Sequence, residues 1–152
     1  MDYEGLLDEA FNLGLIVKEA KFKGNKGRIK GNRIAIRKDI PTLKEKAFIL
    51  AEELGHYFTS YGDILNQEVT ANRKQEYKAR LWSYNKQIGL IGIISAFNVG
   101  CRSLFDMAEY LDVPEALLSE ALKCYKDKYG ESIKIDNYII FFEPNLGVMR
   151  LI

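Results

Sequence analysis

The chain has 152 residues, of which 47% are apolar and 28% are charged, and its formal net charge at pH 7 is +1. This length and composition are typical of one compact globular domain and exclude a disordered chain. The near-neutral charge excludes a whole-protein attraction to nucleic acid or to an anionic membrane, although a local basic patch remains compatible with it.

The N-terminal segment, residues 3–17, predicts a helix. Its apolar residues recur at helical spacing: Leu6, Ala10, Leu13 and Val17. Gly14 is a weak point in this pattern, because glycine is unfavourable inside a helix.

The next segment is basic and contains Gly31-Asn32 between two strand-like stretches, 28–30 and 33–36. A Gly-Asn pair between such stretches indicates a β-hairpin, and we expect Ile34 and Ile36 to face the core. The Lys and Arg residues of this hairpin are most simply interpreted as a solvated face.

Residues 41–58 predict the central helix of the fold. Thr42 and Glu45 have the spacing of a capping box at its start. One apolar stripe follows and should pack on the sheet: Leu43, Ala47, Leu50, Leu54 and Tyr57. Gly55 costs about 1 kcal/mol relative to alanine in a helix, but it would let another backbone approach closely.

A second helix is predicted over residues 70–86. Four of its residues share one face: Glu76, Ala79, Arg80 and Ser83. The small side chain of Ala79 would allow this helix to approach the central helix. Trp82 lies on a neighbouring face, and we expect it in the core.

The second half of the chain predicts a short buried helix over 89–100 and then two helices over 103–128, joined at Asp112-Val113-Pro114. This pair has the form of a helix-turn-helix. Its second helix contains no arginine, which makes recognition of DNA bases a weak hypothesis and favours a helical hairpin that completes the core.

Two strands, 138–142 and 148–152, are predicted to form a C-terminal β-hairpin. We therefore predict an α+β fold in a single domain, 1–152. Within it we expect a metal-helix core over 1–100, a helix-turn-helix-like segment over 101–130 and the C-terminal hairpin over 131–152.

The central helix also carries the strongest functional signal. Glu52 and His56 lie four residues apart and share one helix face, while Glu53 lies about 100° round the helix from Glu52. His56 is the only histidine of the chain. The E-E-x-x-H pattern resembles the zincin signature H-E-x-x-H, in which two histidines bind zinc and the glutamate is the general base.

A catalytic zinc site usually has three protein ligands. We expect the third from the following helix, at Glu76, because Ala79 gives that helix room to approach. Glu68 and Asp63 are the alternatives. The competing interpretation of the whole pattern is a solvated acidic face with a hydrogen-bonded histidine.

Beyond this motif, the chain resembles the ImmA/IrrE family of metallopeptidases, which act on repressors of phages and mobile elements. The resemblance is carried by residues 49–57, 72–82, 104–129 and 141–144. It implies zincin-like helices packed on a small sheet, a helix-turn-helix-like pair, and cleavage of a phage or mobile-element repressor.

The resemblance also implies a role for each site residue. Glu52, His56 and Glu76 would be the metal ligands, and Glu53 would be the general base. The metal would be Zn²⁺. Glu52 stands where the family pattern has histidine, and this departure has consequences for the chemistry.

With two carboxylates and one imidazole, the site would have a net charge of about zero, against about +1 with two histidines and one glutamate. A less positive site acidifies bound water less, so we expect slower hydrolysis or a more alkaline optimum. An oxygen-rich site also makes Mn²⁺ or Fe²⁺ an alternative to zinc. A binding module of the same fold that recognises a repressor without cutting it is the competing hypothesis.

A residue that stabilises the transition state is also required, and no second histidine is present to supply it. The sequence leaves four candidates open for this role: Tyr57, Tyr61, Tyr77 and Arg80.

The remaining expectations concern location and partners. The acidic start lacks the basic region of a signal peptide, and the apolar run 88–97 is too short to span a bilayer. Cys101 and Cys124 form no CxxC pair, so we expect reduced thiols in a cytoplasmic protein. A protein substrate is the expected partner. Nucleic-acid binding is a weaker alternative, through residues 103–128.

Overall fold

The computed structural model describes residues 1–59 and 69–152. In this part of the chain, helices combine with two three-stranded sheets, which confirms the predicted α+β class. The residues form two compact units, 1–87 and 88–152. The boundary after Gln87 differs from the boundary near residue 100 that we proposed between the metal-helix core and the following segment.

The described residues of the first unit, 1–59 and 69–87, form three helices and one sheet. Its elements are α1 (Tyr3–Asn12), β1 (Ile16–Ala20), β2 (Gly27–Lys30), β3 (Arg33–Arg37), α2 (Leu43–Thr59) and α3 (Val69–Gln87). The strand order is β1-β3-β2, in which β1 is parallel to β3 and β2 is antiparallel to it. Helices α1 and α2 pack with the sheet around one apolar core.

The predicted N-terminal helix is correct at its start and wrong at its end. Asp2 caps α1 by accepting a hydrogen bond of 2.8 Å from the Gly5 backbone. The helix ends at Asn12, because Gly14 adopts a φ of +77°, which a right-handed helix does not allow. Val17 therefore lies in β1, where it pairs with Ile34.

The predicted hairpin is confirmed. Lys30 pairs with Arg33, so Gly31-Asn32 is the two-residue loop, and Gly31 has a φ of +61°. Ile34 and Ile36 are buried in the core, as their alternation along β3 predicts.

Helix α2 begins as predicted, with the Glu45 backbone N–H donating to Thr42 Oγ1 at 3.2 Å. The middle of the predicted apolar stripe is buried, at Ala47, Leu50 and Leu54. Its two ends are not, because Leu43 and Tyr57 are exposed. The stripe therefore covers the sheet only along the central turns of the helix.

Helix α3 confirms the second predicted helix and runs antiparallel to α2. Near the start of α2, the Ala47 carbonyl accepts a hydrogen bond from the side-chain amide of Gln87, the last residue of α3. Further along α2, Gly55 contacts Ala79, which comes earlier in α3. Trp82 is partly buried against the core, and its ring stacks on Phe58 with centroids 5.0 Å apart.

The second unit contains three helices and a second sheet. Its elements are α4 (Gly89–Asn98), α5 (Leu104–Leu111), α6 (Glu115–Tyr129), β4 (Ser132–Ile135), β5 (Tyr138–Phe141) and β6 (Gly147–Arg150). The two-helix form of residues 103–128 is confirmed, with Ser103 as the N-cap of α5 and Asp112 in the left-handed region at its end. The buried residues Leu117, Leu118 and Tyr125 place one face of α6 in the core of this unit.

The C-terminal strands are part of a larger element than predicted. Strands β5 and β6 form the expected hairpin, and β4 adds a third antiparallel strand beside β5. Two signals for this strand were available: the alternation in Ser132–Ile135 and the turn residue Asp136 that follows it. Asp136 has a φ of +51° in the structure. Within residues 1–59 and 69–152, each helix is too short or too polar to cross a lipid bilayer.

Candidate metal centre

Helix α2 supplies two of the three predicted ligands. Glu52 and His56 are one helical turn apart and both are partly buried beside the apolar stripe. The helix period therefore places the carboxylate and the imidazole on one face, as predicted. The cap at Thr42 and the buried central turns fix the position of this helix on the sheet.

Helix α3 brings the third predicted ligand to this face. Glu76 Oε2 lies 3.6 Å from His56 Nε2. One ligand atom from each of Glu52, His56 and Glu76 lies within 4.8 Å of the others. The three residues therefore form a group that could hold a metal ion. The alternatives Glu68 and Asp63 lie outside the described residues.

The close approach of the two helices depends on Gly55. A Cβ atom at this position would lie only 2.4 Å from the carbonyl oxygen of Ala79. No side chain fits in that space, so the α3 backbone occupies the volume that a residue larger than glycine would need. Because His56 follows Gly55 and Glu76 is one turn before Ala79, this contact sets the spacing of two ligands.

Glu53 lies beside the three ligands but points towards the sheet. Its exposed fraction is 9%, and its carboxylate lies against Gly27 of β2, where a Cβ atom would be 2.8 Å from Glu53 Oε1. Burial, with smaller contributions from the carboxylates of Glu52 and Glu76, raises the pKa of Glu53 from an ordinary value of 4.5 to about 7. Glu53 can therefore accept or release a proton near neutral pH.

Gly27 is a site residue that the sequence analysis missed. It is buried, and it forms the wall against which the Glu53 side chain packs. The available signal was a glycine immediately before a predicted strand, since glycine beside or within a strand often marks the close approach of another group.

Arg80 adds a positive charge to the edge of the site. Its Nε lies 3.7 Å from Glu52 Oε1. The sequence pattern indicated a transition-state role for Arg80, and its pairing with the ligand Glu52 was not predicted. Tyr57 and Tyr77 are both exposed, and Tyr61 lies outside the described residues.

Two observations agree with the binding of a divalent cation by Glu52, His56 and Glu76. One imidazole nitrogen and two carboxylate oxygens are common ligands of zinc. The 3.6 Å between His56 Nε2 and Glu76 Oε2 is too long for a good hydrogen bond. It is close to the roughly 3.4 Å that separates two ligands of a tetrahedral ion at bond lengths near 2.1 Å.

Comparison of the chain with family models, with curated proteins and with solved structures found no match. Membership of the ImmA/IrrE family therefore stays a prediction from the sequence resemblance.

Proposed function

We propose that the chain is a metal-dependent endopeptidase of the ImmA/IrrE type. The observation that supports this best is the convergence of Glu52, His56 and Glu76 from two helices, with ligand atoms within 4.8 Å, beside the buried carboxyl group of Glu53. A solvated acidic face would not need a glycine contact between helices or a buried acid next to it.

In this proposal Glu52, His56 and Glu76 hold Zn²⁺, with Mn²⁺ or Fe²⁺ as alternatives because two of the ligands are oxygens. The bound ion supplies Lewis-acid activation of water and of the peptide carbonyl. Glu76 is the most exposed ligand, with about half of its side chain accessible, so the site opens to solvent on the α3 side. A protein segment could enter there.

Glu53 is the general base of the proposed reaction. The pKa of Glu53 is raised to about 7 in the metal-free chain, and a bound cation would lower it, so the carboxylate would be ionised at neutral pH and able to accept a proton. The carboxylate would take a proton from the attacking water and return it to the leaving amine. Its packing against Gly27 limits its movement and keeps the carboxyl group beside the ligands.

Arg80 is our candidate for stabilising the negative charge that develops on the substrate oxygen. Its side chain is more than half exposed at the edge of the site. A fixed positive charge of this kind lowers the energy of an oxyanion. The proposed substrate is a repressor protein, which the sequence resemblance implies.

The first test is the metal content of the purified protein, measured by elemental analysis after incubation with zinc. We expect one ion per chain in the wild type and loss of the ion in Glu76→Gln. Glu4→Gln, an exposed glutamate on α1, is the matched control and should keep the ion. Absence of metal from the wild type would overturn the proposal.

The second test separates metal binding from catalysis. Glu53→Gln keeps the size of the side chain and removes the base, so it should retain zinc and lose cleavage of a fluorescence-quenched peptide library. A variant that binds zinc and cleaves like the wild type would remove Glu53 from the mechanism.

A binding module without chemistry is the second candidate, and the Arg80–Glu52 pair favours it. This ion pair balances the carboxylate that stands in a ligand position, without any metal. Such a module would bind a repressor in metal-free form, and Glu53→Gln would leave that binding unchanged.

A further inference from the structure

The positive charge of the chain is concentrated in its first sheet. Nine of the 22 Lys and Arg residues lie between residues 16 and 39, where only two of the 21 Asp and Glu residues occur. The net charge of the whole chain is +1, so this concentration is hidden in the overall composition. The strand register shows where these charges lie.

Residues that pair across strands lie on the same face of a sheet. One row across the three strands consists of Lys18, Ala35 and Arg28. Another row consists of Ile16, Arg33 and Lys30. We call this face the basic sheet face, and it consists of Ile16, Lys18, Ala20, Arg28, Lys30, Arg33, Ala35 and Arg37. Each of these residues is either apolar or positively charged.

The opposite face of the same sheet packs on the helices. It carries Ile34 and Ile36, which are buried, and Glu19, which forms an ion pair with Lys46 of α2. The one acidic residue within the strands is therefore turned away from the basic sheet face. Among the described residues, Lys18, Lys30 and Arg33 have no acidic partner.

The basic sheet face also has a concave shape. Side chains from all three strands line a groove of about 390 Å³, with Ala20 and Ala35 among its lining residues. Two small residues between long cationic side chains leave a shallow floor with positive walls. Arg28, at one wall, also lies over the Phe22 ring at 4.7 Å.

We propose that the basic sheet face binds the phosphate backbone of nucleic acid, independently of base sequence. This proposal goes beyond the proposed peptidase function and does not depend on it. It also places nucleic-acid binding in the first unit rather than in α5 and α6, where the sequence analysis had considered it.

Charge density favours nucleic acid over an acidic protein segment. Duplex DNA carries one negative charge per roughly 1.7 Å of its axis. An extended chain of consecutive acidic residues presents one charge per roughly 3.3 Å. Arg28 and Arg33 also offer the planar guanidinium that contacts phosphate oxygens in pairs.

The apolar residues of the face argue against a membrane and against base stacking. Membrane surfaces are bound through large side chains such as Trp, Phe and Leu, whereas two of the three apolar residues here are alanines. Stacking of unpaired bases requires aromatic side chains, and the basic sheet face has none of its own. Contacts to the phosphate backbone are therefore the interaction that this face can make.

The test is binding of a fluorescent 20-base-pair duplex of arbitrary sequence at several salt concentrations. Four free or weakly held cations, Lys18, Arg28, Lys30 and Arg33, should give a slope of log K against log salt of about −3 to −4. Lys18→Glu/Arg33→Glu should weaken binding at least tenfold and reduce the magnitude of this slope by about 2.

The control is Lys123→Glu/Lys128→Glu on α6, which makes the same change in net charge and should bind like the wild type. Lys18→Gln/Arg33→Gln provides a milder variant if charge reversal disturbs folding, which circular dichroism would detect. Glu53→Gln should bind DNA normally even if the proposed peptidase function is wrong.

Three results would overturn the proposal: binding that does not depend on salt, equal loss of binding in the α6 control, or absence of binding at 50 mM salt. Polyglutamate and phosphatidylserine vesicles are the competing probes. Binding of either of these by the wild type without DNA binding would assign the basic sheet face to an acidic protein or to a membrane instead.

Discussion

Replacing Gly55 by alanine should destabilise the protein, although the same change in an isolated helix would stabilise it. The added Cβ atom would meet the Ala79 carbonyl oxygen at 2.4 Å. An ordinary van der Waals contact begins near 3.4 Å, so α2 and α3 must separate by about 1 Å. The contact is with backbone, which cannot turn aside as a side chain can.

The expected magnitude follows from two opposing terms. Overpacking of a well-packed interface costs about 1–3 kcal/mol. The higher helix propensity of alanine returns about 1 kcal/mol. We therefore expect a net loss of up to about 2 kcal/mol of unfolding free energy. The separation would also lengthen the 3.6 Å between His56 and Glu76, and zinc affinity should fall at least tenfold.

Fluorescence of Trp82, the only tryptophan, during urea unfolding is a suitable assay, because this α3 residue stacks on Phe58 of α2. The matched control is Gly92→Ala in α4, where the added Cβ would meet only the end of the Leu111 side chain, at 3.2 Å. The control should not be destabilised. If Gly55→Ala is as stable as the wild type and binds zinc equally well, the close helix contact does not set the site.

Three further predictions concern the charges around the candidate metal centre. In metal-free protein the raised pKa of Glu53 favours its protonated form in the folded state. The contribution of this group to stability should therefore be fully present below about pH 4.5 and should decrease, by at most about 3 kcal/mol, as the pH rises through about 7. Urea unfolding of Glu53→Gln should lack this decrease, and equal pH dependence of the two proteins would contradict the explanation. Arg80→Gln should tighten zinc binding by up to about fivefold, because it removes one exposed ion pair to the ligand Glu52. Competition with a chelator measures this affinity, and weaker binding in the variant would mean that Arg80 supports the site. Glu52→His should hydrolyse peptides faster at pH 7 because the site becomes more positive, and a folded, zinc-loaded variant that is no faster would refute the charge argument.

Local signals predicted much of the fold. The hairpin at Gly31-Asn32, the cap at Thr42 and the paired helices over 103–128 all depend on residues close in sequence, and all are present in the structure. One failure was also local in origin. Val17 continues a helical pattern of apolar residues, but the left-handed Gly14 ends the helix and makes the pattern coincidental.

The sequence by itself determined that Glu52 and His56 share a helix face, because the helix period fixes positions four residues apart. Only the tertiary structure decided that Glu76 stands 3.6 Å from His56, that Glu53 is buried against Gly27, and that Arg80 pairs with Glu52. These contacts join residues on different elements, and no periodicity in the chain encodes the distance between two packed helices. That distance follows from which side chains are absent, above all at Gly55, where the backbone of α3 takes the place of a side chain.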